Sequence, residues 1–367
     1  MPSPIDHPRR ILVVRLSALG DVLFALPAVE ALRRAHPDAL IDWLIEDRAE
    51  TILDLYGEVN RRIVFPRARW LQLAAKPFRW PQALGLMAGH LVAVVRERYD
   101  IVFDFQGNLK SGLHVLLSRA PVKAGFERRH GKELSHFASN LHARPDPRIV
   151  HRIDKGMSLV RAAYPQIPKE PPRPSLKVSA ASESAMRTAL GDCAAKDGYF
   201  VLHPGTSPFG AFKRWLPERF AHLGDLLTES TGLRAVITWG AGEREIGERV
   251  LGCMKRTGAL LAPRTRSLVD LAAILKGARL MVGSDSAPLH LAAFLGTRVV
   301  ALFGPKDPRI YSPRFAPHRV VRTWLPCSPC ERRRCPDAFC MEEISVQQVT
   351  EAALSLLDES RMATALV

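Results

Sequence analysis

The chain has 367 residues, 47% hydrophobic and 24% charged, which excludes a disordered chain and leaves room for two domains of ordinary size. No apolar run reaches the length of a membrane span, and the N-terminal MPSPIDHPRR lacks the apolar core of a signal peptide, so a cytoplasmic protein is expected. The net charge of +15 is uneven: residues 1–178 hold 28 Lys and Arg against 18 Asp and Glu, and residues 179–367 hold 24 against 19, so the basic front half points to an anionic partner unless it serves solubility alone.

In chain order, Ile11–Val14 reads as a buried strand and Val22–Ala35 as a helix with Pro27 as a kink or late start. Ala39–Ile45 is a second strand, 83–98 a helix, Asp100–Phe105 (DIVFDF) a strand, and a further helix starts near Leu109. PQIPKEPPRP (165–174) carries five prolines and reads as a stiff connector. The pattern then restarts: strand Tyr199–Leu202, helix Pro217–Glu229, strand Ala235–Trp239, helices Glu243–Lys255 and Ser267–Leu275, strand Leu280–Val282, helix Ala287–Leu295 and strand Val299–Phe303. Strands alternating with helices predict parallel, doubly wound sheets. The expected organisation is therefore an N-terminal α/β domain over 1–170, a proline-rich linker at 171–178, a second α/β domain over 179–345 and a C-terminal helix over 346–367. Two Rossmann-like domains facing across a cleft make a binding site.

Several strand ends carry polar residues suited to chemistry. In VRLSALGDV, Asp21 stands between the first strand and its helix, where it either caps the helix or works on a substrate. DFQGNLKSG (104–112) presents Gln106, Asn108, Lys110 and Ser111, and GFERRHGKE (125–133) concentrates Arg128, Arg129, His130 and Lys132; both suit an acidic ligand, and both suit plain solvated surface. VLHPGTSPFGAFKRW offers Thr206, Ser207 and Lys213 to phosphates without being a Walker sequence. Glu243, just past a glycine turn, can accept ribose hydroxyls or favour a helix start. In GSDSAPLHLAAFLG, the strand runs into Asp285 and Ser286, the helix opens around Pro288 and closes at Gly296, and His290 lies one turn beyond Ser286. Free N–H groups there would hold a phosphate. No complete GxGxxG is present, so nothing supports a dehydrogenase. Cys327, Cys330, Cys335 and Cys340, spaced CxxC-x4-C-x4-C, are read as free or buried thiols, with a structural zinc as the alternative.

ILVVRLSALGDVLFALPAVEALR, DFQGNLKSG, LHPGTSPFGAFKRW, ITWGAGE and GSDSAPLHLAAFLGTRVVALFGPKDP, in that order, resemble the ADP-heptose:lipopolysaccharide heptosyltransferases, inverting enzymes of GT-B fold. The likeness covers nearly the whole chain and leans toward the enzyme that adds the first heptose to Kdo, while the cysteine stretch resembles other branches. The resemblance implies Asp21 as general base; Thr206, Ser207 and Lys213 around the donor diphosphate; Glu243 on the ribose; Asp285, Ser286 and His290 at the donor turn; and Arg128 and Arg129 in the segment that meets acceptor phosphates, to which the residue reading adds Lys110 and Lys132 as acceptor contacts. It also implies ADP-heptose as donor, a Kdo-lipid A or inner-core acceptor, peripheral contact with the cytoplasmic leaflet of the inner membrane, and no required cofactor. The rival readings are a second- or third-heptose enzyme, another nucleotide-sugar enzyme, and a nucleic-acid binder. The last lacks a recognition motif or spaced aromatics, so no nucleic-acid partner is expected.

Overall fold

The structure, a computed structural model, describes residues 6–194, 198–330, 332 and 335–365, the side chains of 360–365 excepted. The chain divides into two compact units, Met1–Lys177 and Val178–Val367. In the first, strands β1 (Arg10–Val14), β2 (Leu40–Glu46), β3 (Arg61–Phe65), β4 (Ile101–Asp104), β5 (Val122–Phe126) and β6 (Leu141–Ala143) form a parallel sheet of order β3-β2-β1-β4-β5-β6. The continuous apolar run Ile11–Val14 belongs in its centre, because a parallel strand is covered on both faces. Its flanking helices are α1 (Leu19–Ala35), α2 (Arg67–Ala74), α3 (Trp80–Val95), α4 (Leu109–Leu117) and α5 (Arg152–Ala163).

The second unit repeats the plan. Strands β7 (Tyr199–His203), β8 (Arg234–Ile237), β9 (Leu260–Leu261), β10 (Leu280–Ser284), β11 (Arg298–Leu302) and β12 (His318–Val321) lie in the order β12-β11-β10-β7-β8-β9, again parallel. Around it run α6 (Ala180–Leu190), α7 (Pro217–Thr231), α8 (Arg244–Cys253), α9 (Leu268–Gly277), α10 (Ala287–Leu295), α11 (Pro308–Tyr311), α12 (Phe339–Glu342) and α13 (Val346–Ala365). Gly296 closes α10 in the left-handed conformation at φ 93°, as its position after Leu295 predicts. The core joins Phe200 and Leu202 of β7 to Trp215, Phe220 of α7, Val282, Val300 and Leu356. These two doubly wound units are the α/β plan of the GT-B fold.

Both sheets reverse direction at one place. In the first, β1 lies between β2 and β4; in the second, β7 lies between β8 and β10. Each first strand therefore has one neighbour wound to either side, and ligands in open α/β sheets bind outside the carboxyl ends at that switch. Two details differ from the pattern read along the chain. α1 begins at Leu19, so Asp21 sits in its first turn rather than in a gap before it, and the helix runs on through Pro27. The strands β3, β5, β6, β9 and β12 are additional to those read along the chain, and α2 precedes the helix expected over 83–98.

Candidate functional site

Each switch point carries a polar cluster. In the first unit, the chain leaves β1 through Arg15 and Leu16 and leaves β4 through Phe105 and Gln106. Arg15 Nη1 donates to Phe105 O, while the N–H groups of Leu16 and Ser17 reach Gln106 Oε1 at 3.2 and 3.4 Å. Arg15 also donates from Nη2 to Asp21 Oδ2 at 2.8 Å; its side chain is 11% exposed, that of Asp21 33%. The same Asp21 oxygen receives the Ala18 N–H at 3.4 Å, so the carboxylate does cap its helix. Among the described residues, no hydrogen bond engages Asp21 Oδ1. Arg15, which fixes this carboxylate, was not among the residues singled out by sequence, although its place directly after β1 was the available signal.

The second loop is built around a residue that sequence reading took only as a strand end. Asp104 is buried; its Oδ1 accepts the N–H groups of Gln106 and Gly107 at 3.0 and 2.9 Å, and its Oδ2 accepts Ser111 Oγ–H at 2.9 Å. Burial pushes its carboxyl up to about 6, against those hydrogen bonds, which pull it down. Asn108 caps α4 through Ser111 N at 3.0 Å. Lys110 pairs with Glu46 at the end of β2, a half-exposed ammonium against a buried carboxylate. Lys132 N–H donates to Gly107 O at 2.8 Å, which seats the 125–133 turn on this loop. Arg128, Arg129 and Lys132 point into solvent without an ion pair among the described residues. Lys155 in α5 stands near Arg152 and Lys132, and burial followed by those two charges lowers its ammonium; the sequence reading missed it, since nothing local separates it from a surface lysine.

In the second unit, the loops after β7 and β10 meet. Lys213 Nζ donates to Asp285 O at 2.6 Å and to Asp285 Oδ2 at 2.9 Å, and His290 Nε2 donates to Asp285 Oδ1 at 3.0 Å. Burial alone would raise this carboxyl, but the His290 hydrogen bond and the Lys213 charge outweigh it and hold it down at about 2. Ser286 opens α10, and its Oγ is buried with no partner among the described residues. An ammonium has three donors; Asp285 takes two and leaves one for an anion. The first-turn N–H groups of α10 add to that receptive edge.

Thr206 is buried and committed to the turn itself: its Oγ1 donates to Gly210 O at 2.8 Å and accepts from Arg214 Nε at 3.1 Å. Ser207 is exposed beside it. Glu243 Oε2 accepts the Gly240 N–H at 3.0 Å, its other oxygen lies 3.7 Å from Arg214 Nη2, and a Cβ on Gly205 would stand 2.2 Å from Oε2. A side chain at 205 would have to displace the end of that carboxylate from its place against Gly240 N–H. Arg214, which ties both Thr206 and Glu243, is the residue the sequence reading passed over in favour of its neighbour Lys213.

The four C-terminal cysteines are free thiols, and among the described residues no three His, Cys, Asp or Glu side chains stand where a metal could be held. Cys340 is buried where a Cβ on Gly304 would lie 2.9 Å from its Sγ, Cys335 Sγ donates to Asp337 O at 3.1 Å, and Cys327 is exposed. Burial, then the neighbouring Cys330, Cys327 and Cys335, push the Cys340 thiol up.

Comparison with known proteins gives these clusters a context. Residues 89–339 match Glycosyltransferase family 9 (heptosyltransferase). The chain belongs to this family. It is 30% identical over 332 residues to lipopolysaccharide heptosyltransferase 1 of Pseudomonas aeruginosa, covering 89% of this chain and 87% of that one. It is 26% identical to lipopolysaccharide heptosyltransferase 2 of Salmonella typhimurium, over 95% of this chain and 99% of the other. Escherichia coli heptosyltransferase WaaC, solved with ADP, shares the fold with a TM-score of 0.72 at 23% sequence identity, over 93% of this chain and 98% of that one. As a family 9 member the protein is a glycosyltransferase. No helix among the described residues is long and apolar enough to cross a membrane.

Proposed function

We propose that the protein is an inverting heptosyltransferase that moves L-glycero-D-manno-heptose from ADP-heptose to the Kdo region of a lipopolysaccharide precursor, working in the cytoplasm at the inner face of the membrane. One observation carries the reading. A chain that covers most of a lipopolysaccharide heptosyltransferase 1 puts a partly open carboxylate at one switch point and an anion-receptive turn at the other.

On this reading, the acceptor hydroxyl attacks the anomeric carbon from the face opposite the diphosphate, and Asp21 takes the hydroxyl proton as the new C–O bond forms. The bond to ADP breaks in the same step and its electron pair leaves with the diphosphate, which Lys213, Ser286 and the α10 N–H groups stabilise. Arg15 holds the Asp21 carboxylate in place, and Asp285 with His290 does the same for Lys213. Glu243 receives the ribose hydroxyls. Arg128, Arg129, Lys132 and Lys110 face the carboxylates and phosphates of the acceptor.

The test is transfer from ADP-heptose to a Kdo-bearing lipid A by wild type and Asp21→Asn. Loss of the general base lowers kcat by about 10²–10⁴-fold; near-wild-type turnover by the variant removes Asp21 from that role. A second reading, addition of a later heptose, is supported by relatives of types 2 and 3 that align over 95% of this chain. It predicts no transfer to the Kdo acceptor and normal transfer to one that already bears heptose.

A further inference from the structure

The segment from α2 through α3 does not behave like the rest of the first unit. α3 is WPQALGLMAGHLVAVV, without a charged residue, yet it buries only Ala83, His90 and Val94. Those three recur at one helical stripe, and that stripe is its anchor. His90 Nε2 lies 2.9 Å from His114 Nε2 on α4, and the Phe65 ring packs 4.9 and 5.2 Å from the two imidazoles. Elsewhere the helix and the short turn before it leave apolar groups open to solvent: Phe78, in the turn Pro77–Arg79, is 76% exposed, and Trp80, Leu84 and Val92 of α3 are 57%, 70% and 60% exposed. A soluble helix normally turns charges outward; this one turns leucine, valine and tryptophan outward.

The charges around this face are of one sign. Residues 67–98 include Arg67, Arg69, Lys76, Arg79, Arg96 and Arg98 against the single acid Glu97. Glu97 is already engaged, pairing with Arg10 at 2.6 Å and Arg61 at 2.9 Å. The nearby Asp47 faces inward to the α2 backbone, accepting the Ala68 N–H at 2.9 Å. Arg67, Arg69, Lys76 and Arg79 are exposed and have no ion pair among the described residues; Arg79 lies over the exposed Phe78 ring instead. Bare apolar surface bordered by unpaired cations, with a tryptophan at the border, matches the interface of an anionic bilayer: acyl chains receive the apolar side, and lipid phosphates receive the arginines. A protein partner would need an acidic rim around an apolar groove, and a second copy of this chain would bring basic surface against basic surface.

We propose that residues 67–98 form the docking surface for an anionic phospholipid membrane, with the outer side of α3 resting in the headgroup–acyl boundary and Trp80 at its edge. The proposal deepens the reading above, in which the acceptor is lipid-borne. Its test reads binding and not transfer, so the two fail separately.

The full chain is mixed with vesicles of phosphatidylcholine alone or of equal parts phosphatidylcholine and phosphatidylglycerol, then floated. Recovery with the anionic vesicles, falling as salt is raised, is the expected result, with about tenfold less for Trp80→Gln/Leu84→Gln and for Arg67→Glu/Lys76→Glu. As a control that survives a folding defect in those variants, brominated anionic lipids should quench a part of the tryptophan fluorescence that the conservative Trp80→Phe lacks. No flotation of wild type, equal flotation of wild type and both double variants, or equal quenching in Trp80→Phe overturns the proposal. So does a wild-type dimer in light scattering that Trp80→Gln/Leu84→Gln splits, since the face would then belong to a second copy.

Discussion

Lys213 is the residue whose chemistry is most constrained by its surroundings. Two of its N–H donors are fixed on Asp285, which aims the third and keeps a cation ready without letting it wander. Lys213→Ala should lower kcat/KM for the sugar nucleotide by about 10²-fold while leaving acceptor KM unchanged, measured by varying each substrate in turn. Asp285 itself links this cluster to pH. Its carboxyl is held at about 2 in the folded protein, below its ordinary value. The stabilisation is therefore complete above about pH 4 and is lost as pH falls from there toward 2, a swing of about 2 kcal/mol. Denaturation of Asp285→Asn across that range should show the dependence removed. Gly205 makes a steric prediction: Gly205→Ala drives its Cβ into Glu243, displaces that carboxylate from Gly240 N–H, and should cost about 1–3 kcal/mol by chemical denaturation.

At the scale of the element, DFQGNLKSG shows how much of a loop its own residues build. Asn108 and Ser111, open in the sequence to either a ligand or solvent, cap α4 reciprocally, Asn108 accepting Ser111 N–H and Ser111 Oγ accepting Asn108 N–H at 3.1 Å. Asn108→Ala should cost about 1 kcal/mol. Asp104 holds the turn from below, and its sign runs opposite to that of Asp285. Its carboxyl is raised to about 6, so the folded state binds its proton more tightly than the unfolded chain does. Stability should fall by up to about 3 kcal/mol as pH rises from 4 to 6 and stay low above that, and Asp104→Asn should flatten this limb. The chain could not announce this: DIVFDF reads as a strand with two acids in it, and only the β4–α4 turn makes Asp104 a hub. The same limit explains the short strands. β6 spans three residues and β9 two, too few for alternation to register, and they are strands because a neighbour pairs with them.

For the molecule as a whole, two successive doubly wound units with the same strand order place one polar cluster in each. If the second cluster is the nucleotide site, ADP should slow amide exchange in 204–216, 240–243 and 285–290 and leave the turn around Asp21 unchanged; protection confined to the first unit would contradict that assignment. The order of residues pointed to two α/β units, because strand and helix patterns alternate, break at the prolines of 165–174, and resume. It also put Asp21, Lys213, Asp285 and Ser286 in the segments that lead from a strand into the next helix, since apolar runs and the polar residues that follow them are local features. What local features lack is the order of strands. β1 pairs with β4 across an intervening segment that holds two other strands, and β7 with β10 likewise, through backbone hydrogen bonds that no residue near either strand records. That pairing brings Gln106 to the loop of Arg15 and Lys213 to Asp285, and it gathers scattered polar residues into two clusters. Burial is decided at the same level. Whether Trp80 faces the core or the solvent depends on what packs against α3, and so the open side of that helix could be seen only once its neighbours were in place.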